Sequence, residues 1–289
     1  MTEALRLFSP AKINLRLEVL REREDGYHEL RTIFQKISLY DTLRFSLTKE
    51  KGISIRADNP DLPLGRRNLV YRAIRSMLEA TDYRGGVRVE IRKRIPLGAG
   101  LGGGSSNAAT AMKAMNLLLG MGRSRRELME MGVRLGADIP FFFLEGAAVG
   151  TGIGERLKRI GLPKVWLVLI YPNFEVSTRW VYQSLVLTKM RFHLNIHELL
   201  RTPEGISRNL RNDLEGVVSS KYPQIEAMKR ILCSAGALGA LMTGSGPTVF
   251  GVFSDEGSAL NGYRKVKRMV RSEAWKVFRA HSLPSTRET

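Results

Sequence analysis

The chain has 289 residues, 43% of them hydrophobic, enough for one large or two modest folded domains. It carries 46 lysines and arginines against 28 acidic residues, a formal net charge of +18, with one cysteine, Cys233. A single cysteine excludes an internal disulfide, and no apolar run reaches the roughly 18 residues of a membrane span.

The N-terminal stretch Met1-Thr-Glu-Ala-Leu-Arg-Leu lacks the apolar core of an export signal, so a cytoplasmic protein is expected. The basic residues are dispersed along the chain, not gathered in a tail. Such a surface is most often a solvated face whose ion pairs contribute little. The charge would help attract a polyphosphate without identifying one, and neither nucleic acid nor membrane is expected as a partner.

Along Ala11–Leu20, Ile13, Leu15, Leu17 and Val19 alternate with Lys12, Asn14, Arg16 and Glu18. That pattern predicts a half-buried strand with Lys12 and Asn14 on its solvated face. Asp25-Gly26 marks a turn, followed at once by Tyr27-His28. Residues 33–39, the alternating set Leu43, Phe45 and Leu47, and the pair Ile53 and Ile55 predict further strands. Asn68 caps a helix whose apolar stripe is Leu69, Ala73, Ile74, Met77 and Leu78.

Val87 to Ile91 reads as a strand leading into Pro96-Leu-Gly-Ala-Gly-Leu-Gly-Gly-Gly-Ser-Ser-Asn-Ala-Ala109, a stretch with six glycines. Glycine lets backbone N–H groups converge on one point. Ser105, Ser106 and Asn107 stand where a helix should begin, and the unpartnered N–H groups there favour an anion. A polyphosphate cradle at a helix N-terminus is the result. No Gly-Lys pair follows, which excludes a Walker A loop. Gly98, Gly100 and Gly103 match Gly-x-Gly-x-x-Gly, but far from the first strand and without a ribose-binding acid, which disfavours a dinucleotide fold.

Ser124-x-x-Glu127 is a capping box, and Gly136 ends its helix. Asp138-Ile-Pro140 opens the apolar run Phe141-Phe-Phe-Leu144, which reads as a buried strand. A carboxylate beside such a strand needs a partner or a task. Residues 146–154 predict a hairpin, Gly161-Leu-Pro163 a domain seam, 165–171 a buried strand, and Thr178–Leu185 a helix carrying Tyr182. His193-x3-His197 has metal-ligand spacing but lacks the glutamate of a zinc protease, so a polar connector is expected. Pro223 starts a helix running to about Ser234, and the apolar neighbours of Cys233 predict that it is buried there. Leu241 to Phe250 reads as a second glycine turn between two apolar strands. Ser258–Arg271 reads as a basic helix and 274–281 as a strand, and residues 284–289 are expected to be disordered.

Four separated pieces, Ser9-Pro-Ala-Lys-Ile-Asn14, the glycine loop, Gly136-Ala-Asp-Ile-Pro140 and Met242-Thr-Gly-Ser-Gly-Pro247, occur in the order found in the GHMP small-molecule kinases. Together with Arg23-x-Asp-Gly-Tyr-His28 they cover nearly the whole chain, which therefore resembles that family. The resemblance implies a two-domain α+β fold. Residues 1–160 would form an N-terminal mixed α/β domain with a left-handed crossover, and 161–289 a ferredoxin-like C-terminal domain.

It further implies transfer of the ATP γ-phosphoryl group, with Mg2+, to a hydroxyl of a small polyol linked to cytidine diphosphate. This is a step of the non-mevalonate route to isoprenoid precursors. Asp138 would be the general base and Lys12 its neighbour, while Asn14 would position the substrate. Tyr27 and His28 would hold the cytosine, with Tyr182 on its other face, and Thr243, Gly244 and Ser245 would close over the substrate. Pro96, Gly98, Ala99, Gly100, Leu101, Gly102, Gly103, Gly104, Ser105 and Ser106 would bind the ATP phosphates. The sequence names no ligand for the Mg2+, Ser106 being a candidate only by its position in the family loop, and a monomer or homodimer is expected. A homoserine or mevalonate kinase would have no base for Tyr27-His28 to hold. A basic RNA-binding module of related fold would have no use for the ATP loop.

Overall fold

Alternation on both faces makes the first two strands long. In the computed structural model, which describes residues 4–187, 201–271 and 274–285, β1 runs Leu5–Glu22 and β2 runs His28–Thr48. The two strands expected within 33–47 are thus one continuous strand, because nothing between Leu39 and Leu43 breaks the alternation. The chain divides into two compact units, and both strands contribute to each. The first unit holds residues up to 11, 40–97 and 102–144; the second holds 12–39, 98–101 and the described residues from 145 onward.

In the first unit, β3 (Gly52–Ala57) lies parallel to β4 (Gly86–Arg92), and β4 lies antiparallel to the second half of β2, with Leu43 opposite Ile91 and Phe45 opposite Val89. The sheet is therefore mixed. Leu43, Phe45, Val89 and Ile91 are buried, while the alternate residues Arg44, Arg88, Glu90 and Arg92 are exposed. Helix α1 (Leu69–Leu78) is capped by Asn68, whose side chain accepts from Val70 N. Helix α2 (Gly103–Leu118) buries Ala108, Ala109, Ala111, Met112, Ala114 and Met115, a small-residue surface that lets it sit deep. The Ser124 capping box opens α3 (Arg125–Val133). The apolar run after Asp138 is not a strand. Pro140 presets the first turn of a short 3-10 helix, Pro140–Phe143, whose three phenylalanines are buried.

In the second unit, Leu30–Gln35 of β2 pairs antiparallel with β5 (Ala147–Gly152), which forms a hairpin with β6 (Arg156–Ile160). Later in the chain come β7 (Trp166–Tyr171), α4 (Thr178–Gln183), α5 (Pro203–Arg208), β8 (Arg211–Asn212), α6 (Glu215–Lys221) and α7 (Gln224–Ser234). β9 (Gly239–Met242), β10 (Val249–Phe253), α8 (Glu256–Met269) and β11 (Lys276–His281) follow. β8 adds in parallel to β1, with Arg16 opposite Arg211. The antiparallel order β11-β7-β10-β9 is that of a ferredoxin-like sheet. Val168, Ile170, Val249 and Phe253 share a core with Ile225, Met228 and Leu232 of α7 and Val266 of α8.

Three local expectations change. Cys233 lies in α7 but is exposed, since the helix turns Met228 and Leu232 inward instead. Pro284 and Ser285 are ordered: Ser285 Oγ donates to Ile160 O at 2.9 Å and accepts from Ala147 N at 3.2 Å. The solvated face of β1 is also buried, with Lys12, Asn14, Arg16 and Glu18 at 4%, 1%, 4% and 5% exposure. Hydrogen bonds from Lys12 to Asn14, from Arg16 to Glu18 and Asn209 O, and from Asn14 to Thr32 make their burial tolerable, although Arg16 Nε is left without a partner among the described residues. His193, His197 and residues 286–289 lie outside the described residues. Among the described residues no helix is long and apolar enough to cross a membrane.

Candidate active site

After β4 the chain enters the glycine loop. Gly98, Gly100 and Gly102 have φ of 57°, 74° and 67°, the left-handed region that side-chain-bearing residues rarely adopt. Gly102 is the N-cap of α2, so the helix opens at Gly103, two residues before the expected Ser105. Gly103, Gly104 and Ser105 thus form the first turn, and that turn holds no acidic residue. The first N–H groups of a helix have no i−4 partner, and the aligned peptides leave about half a positive charge there. The segment suits an anion with several oxygens.

Beneath α2 lies a cluster that sequence inspection missed. Asp41 is fully buried on β2. Its Oδ1 accepts from Arg94 N at 2.8 Å and Ile95 N at 2.9 Å, and its Oδ2 accepts from Asn107 Nδ2 at 2.9 Å and from the Lys93 ammonium. Asn107 Nδ2 also donates to Ser9 Oγ at 2.9 Å, and Ser9 Oγ donates to Ser106 Oγ at 2.7 Å. One carboxylate thereby fixes the chain entering the loop and the helix leaving it. The signal was available: Asp41 occupies the inward parity set by Leu39, Leu43 and Phe45.

In the second unit, β1 presents Lys12 and Asn14. Lys12 Nζ donates to Asn14 Oδ1 at 2.7 Å and lies 5.5 Å from the centre of the Phe34 ring. Its backbone N–H donates to Leu101 O of the glycine loop at 3.0 Å. Asn14 N donates to Thr243 Oγ1 at 2.9 Å, and Asn14 Nδ2 donates to Thr32 Oγ1 at 2.8 Å. The second glycine turn meets the first here: a Cβ on Gly100 would stand 2.3 Å from Thr243 O. Asn212, unassigned from sequence, holds that turn by donating to Met242 O and Gly244 O, each at 2.8 Å. The structure thus brings together Lys12, Asn14, Gly100, Leu101, Thr243 and Gly244.

His28 and Tyr182 form a second group in this unit. Their ring centres are 5.1 Å apart, with planes inclined by 36°. Tyr27 follows the Asp25-Gly26 turn and is 59% exposed. Its N–H donates to Asp25 Oδ1 at 3.1 Å. The Arg23 guanidinium, hydrogen-bonded to Asp25, holds that carboxyl below its ordinary range. Ser245 Oγ is hydrogen-bonded to Thr178 Oγ1 at 2.7 Å, which ties the turn to the helix carrying Tyr182. In the first unit, Asp138 is half-buried in the turn between α3 and Pro140–Phe143, with Ile139 N donating to Gly136 O at 3.1 Å. Among the described residues, no three His, Cys, Asp or Glu side chains converge as a metal site.

Two family models match the chain: GHMP kinases N terminal domain over residues 68–146, and GHMP kinases C terminal over residues 195–272. A 4-diphosphocytidyl-2-C-methyl-D-erythritol kinase of Syntrophus aciditrophicus is 50% identical over 258 residues, 88% of this chain and 92% of that protein. One from Geobacter sulfurreducens is 44% identical over 272 residues, 94% and 96% of the two chains. A crystal structure of 4-(cytidine 5'-diphospho)-2C-methyl-D-erythritol kinase, 35% identical, superposes with a TM-score of 0.82 over 98% of this chain and 100% of that one. A homoserine kinase from Cytophaga hutchinsonii, at 20% identity, shares the fold with a TM-score of 0.77, over 99% of this chain and 96% of that one. The chain belongs to the GHMP kinase family, within the group of 4-diphosphocytidyl-2-C-methyl-D-erythritol kinases.

Proposed function

We propose that this small-molecule kinase transfers the γ-phosphoryl group of ATP to the 2-hydroxyl of 4-diphosphocytidyl-2-C-methyl-D-erythritol. The observation that carries the substrate choice is the His28–Tyr182 ring pair beside the exposed Tyr27. Aromatic faces and an imidazole can stack on and hydrogen-bond a pyrimidine, and homoserine and mevalonate have no such base. Relatives named for this substrate, at 50% and 44% identity, support the same choice.

Phosphoryl transfer asks little covalent chemistry of the protein; it asks for alignment and charge stabilisation. Asp138 takes or steers the proton of the attacking hydroxyl. Lys12 stabilises negative charge on the transferred group, and Asn14 orients the polyol. Backbone N–H groups from Gly98 to Ser106, with Pro96 shaping the entry, hold the ATP phosphates. Left-handed glycines running into an acid-free helix start fit that anion. Tyr27, His28 and Tyr182 hold the cytosine, and the Thr243–Ser245 turn covers the substrate end. Magnesium, carried mainly by the phosphates and water, would neutralise charge on the β and γ oxygens. Division near residue 160 into N- and C-terminal kinase domains is supported by family matches at 68–146 and 195–272. The lone cysteine fits a reducing, cytoplasmic location.

The test is ADP release with Mg2+ and ATP, comparing the cytidyl substrate with its decytidylated analogue, homoserine and mevalonate. Turnover restricted to the cytidyl substrate is expected, and turnover with homoserine or mevalonate instead would overturn the assignment. Asp138→Ala should lower kcat by roughly 10²- to 10⁴-fold with the melting curve retained. His28→Ala should raise KM for the cytidyl substrate and leave KM for ATP unchanged.

A further inference from the structure

Arginines dispersed in sequence are gathered by the fold. On the first unit's sheet, alternation sends Leu43, Phe45, Ile55, Val87, Val89 and Ile91 inward. The opposite face carries Arg44 on β2, Arg56 on β3, and Arg88 and Arg92 on β4, all exposed. The registers place them in rows: Arg44 and Arg56 flank Glu90, and Ser46 and Ser54 flank Arg88, with Thr42 opposite Arg92. The start of β1 adds Arg6 and Phe8. Phe8 is 60% exposed, packs edge-on to Tyr40 with ring centres 6.1 Å apart, and has the Arg6 guanidinium 5.3 Å from its ring centre. Across these strands five exposed arginines meet one exposed glutamate, beside a phenylalanine that is not drawn into a core.

A solvated sheet face ordinarily mixes signs and hides large aromatics. Here one sign dominates on an open, pleated surface with side chains spaced along each strand, the Arg44–Glu90 pair at 3.9 Å being its one ion pair among the named residues. Guanidinium groups pair with phosphate oxygens in a planar fork. An exposed aromatic edged by arginine offers a stacking platform for an unpaired base. Duplex grooves call for a protruding helix or ribbon, whereas an open sheet with aromatic and arginine side chains suits a single strand.

We propose that this face of the first unit binds single-stranded nucleic acid, with Phe8 and Tyr40 stacking a base and Arg44, Arg56, Arg88 and Arg92 tracking the phosphates. This activity is separate from the kinase reaction and does not rest on it.

The test titrates the full chain into labelled oligo-uridylate and oligo-thymidylate of about a dozen nucleotides, following polarisation from about 50 to 200 mM salt. Binding that weakens steeply with salt is expected. Phe8→Ser should weaken it roughly tenfold at unchanged salt slope. The combined variant Arg44→Ser, Arg56→Ser, Arg88→Ser should flatten the slope by about 0.7 for each arginine removed. ADP release and melting temperature should be unchanged in both variants, which separates this surface from the active site. A stronger response to uridylate than to thymidylate would assign RNA as the partner; the reverse would assign DNA. No polarisation change at the lowest salt would overturn the proposal, as would a wild-type slope in the arginine variant. So would equal binding to anionic lipid vesicles that is indifferent to Phe8→Ser, since charge alone would then account for it.

Discussion

Two buried polar clusters in this molecule are built on different chemistry. In the first unit, Asp41 saturates both carboxylate oxygens with two backbone N–H groups, the Asn107 amide and the Lys93 ammonium. In the second, the Lys12 ammonium donates to Asn14, which in turn donates to the hydroxyls of Thr32 and Thr243, groups that both donate and accept. A saturated ion pair has no hydrogen-bonding capacity to spare and can only hold backbone in place. An amide–hydroxyl network can re-aim its donors when a polyol hydroxyl arrives. The first cluster should therefore answer to stability and the second to turnover.

The largest expected effect follows from breaking the first. Asp41→Ala leaves the Lys93 ammonium, 3% exposed, without its carboxylate, and releases the Arg94 and Ile95 N–H groups. Removing one partner of a buried pair costs about 3–5 kcal/mol. Denaturant unfolding should show that loss as a lower midpoint, with Lys93→Met partly restoring stability in the double variant because it removes the orphaned charge. If Asp41→Ala unfolds at the wild-type midpoint, the cluster is not a structural brace. Asn14→Ala should separate from it in the other direction. It removes one neutral hydrogen bond to Thr32, worth about 1 kcal/mol, a long contact from Thr243, and the acceptor of the Lys12 ammonium, worth about 1.5–3 kcal/mol, while kcat should fall by at least tenfold. A variant that loses stability and keeps kcat would erase the contrast.

Gly100→Ala is an intermediate case because it touches both demands. The residue holds φ 74° and faces Thr243 O at a distance no Cβ tolerates. Strain of about 1–3 kcal/mol is expected, together with a raised KM for ATP as the two glycine turns separate. Equal ATP affinity in the variant would mean that the close approach of the turns does not shape the phosphate loop.

The glycine loop, the Ser124 capping box and the four C-terminal strands were legible because each depends on local chemistry: turn glycines, a cap, a period of two. The buried polar face of β1 was not. Lys12, Asn14, Arg16 and Glu18 have the alternation of a solvated face, and only partners far along the chain reveal otherwise: Asn209 O for Arg16, Arg31 for Glu18, Thr243 for Asn14. The 3-10 turn at Pro140 is indistinguishable from a strand in sequence, since a short apolar run has no period of its own. The resemblance supplied candidate roles for Lys12, Asp138 and His28 that spacing alone left open. Asp41 and Asn212 lie outside the family motifs, and only their hydrogen bonds reveal what they hold.

Glu18 is the place to look for the smallest effect, and for its sign. Burial pushes its carboxyl upward, but hydrogen bonds from Arg31 and Arg16, each at 2.5 Å, outweigh that and hold it below the ordinary value of 4.5. The unfolded chain therefore binds the proton more readily than the folded one. Glu18's contribution to stability is fully present above about pH 4.5 and is lost as pH falls through the lower folded value. Arg31 is 42% exposed, so solvent screens part of the pair and the slope should be shallow. Glu18→Gln cannot titrate, so urea midpoints between pH 6 and pH 3 should decline less steeply in the variant than in the parent protein. Parallel acid limbs would mean that Glu18 keeps its proton affinity on folding, and that the Arg16–Glu18–Arg31 group packs the face of β1 without storing charge stabilisation there.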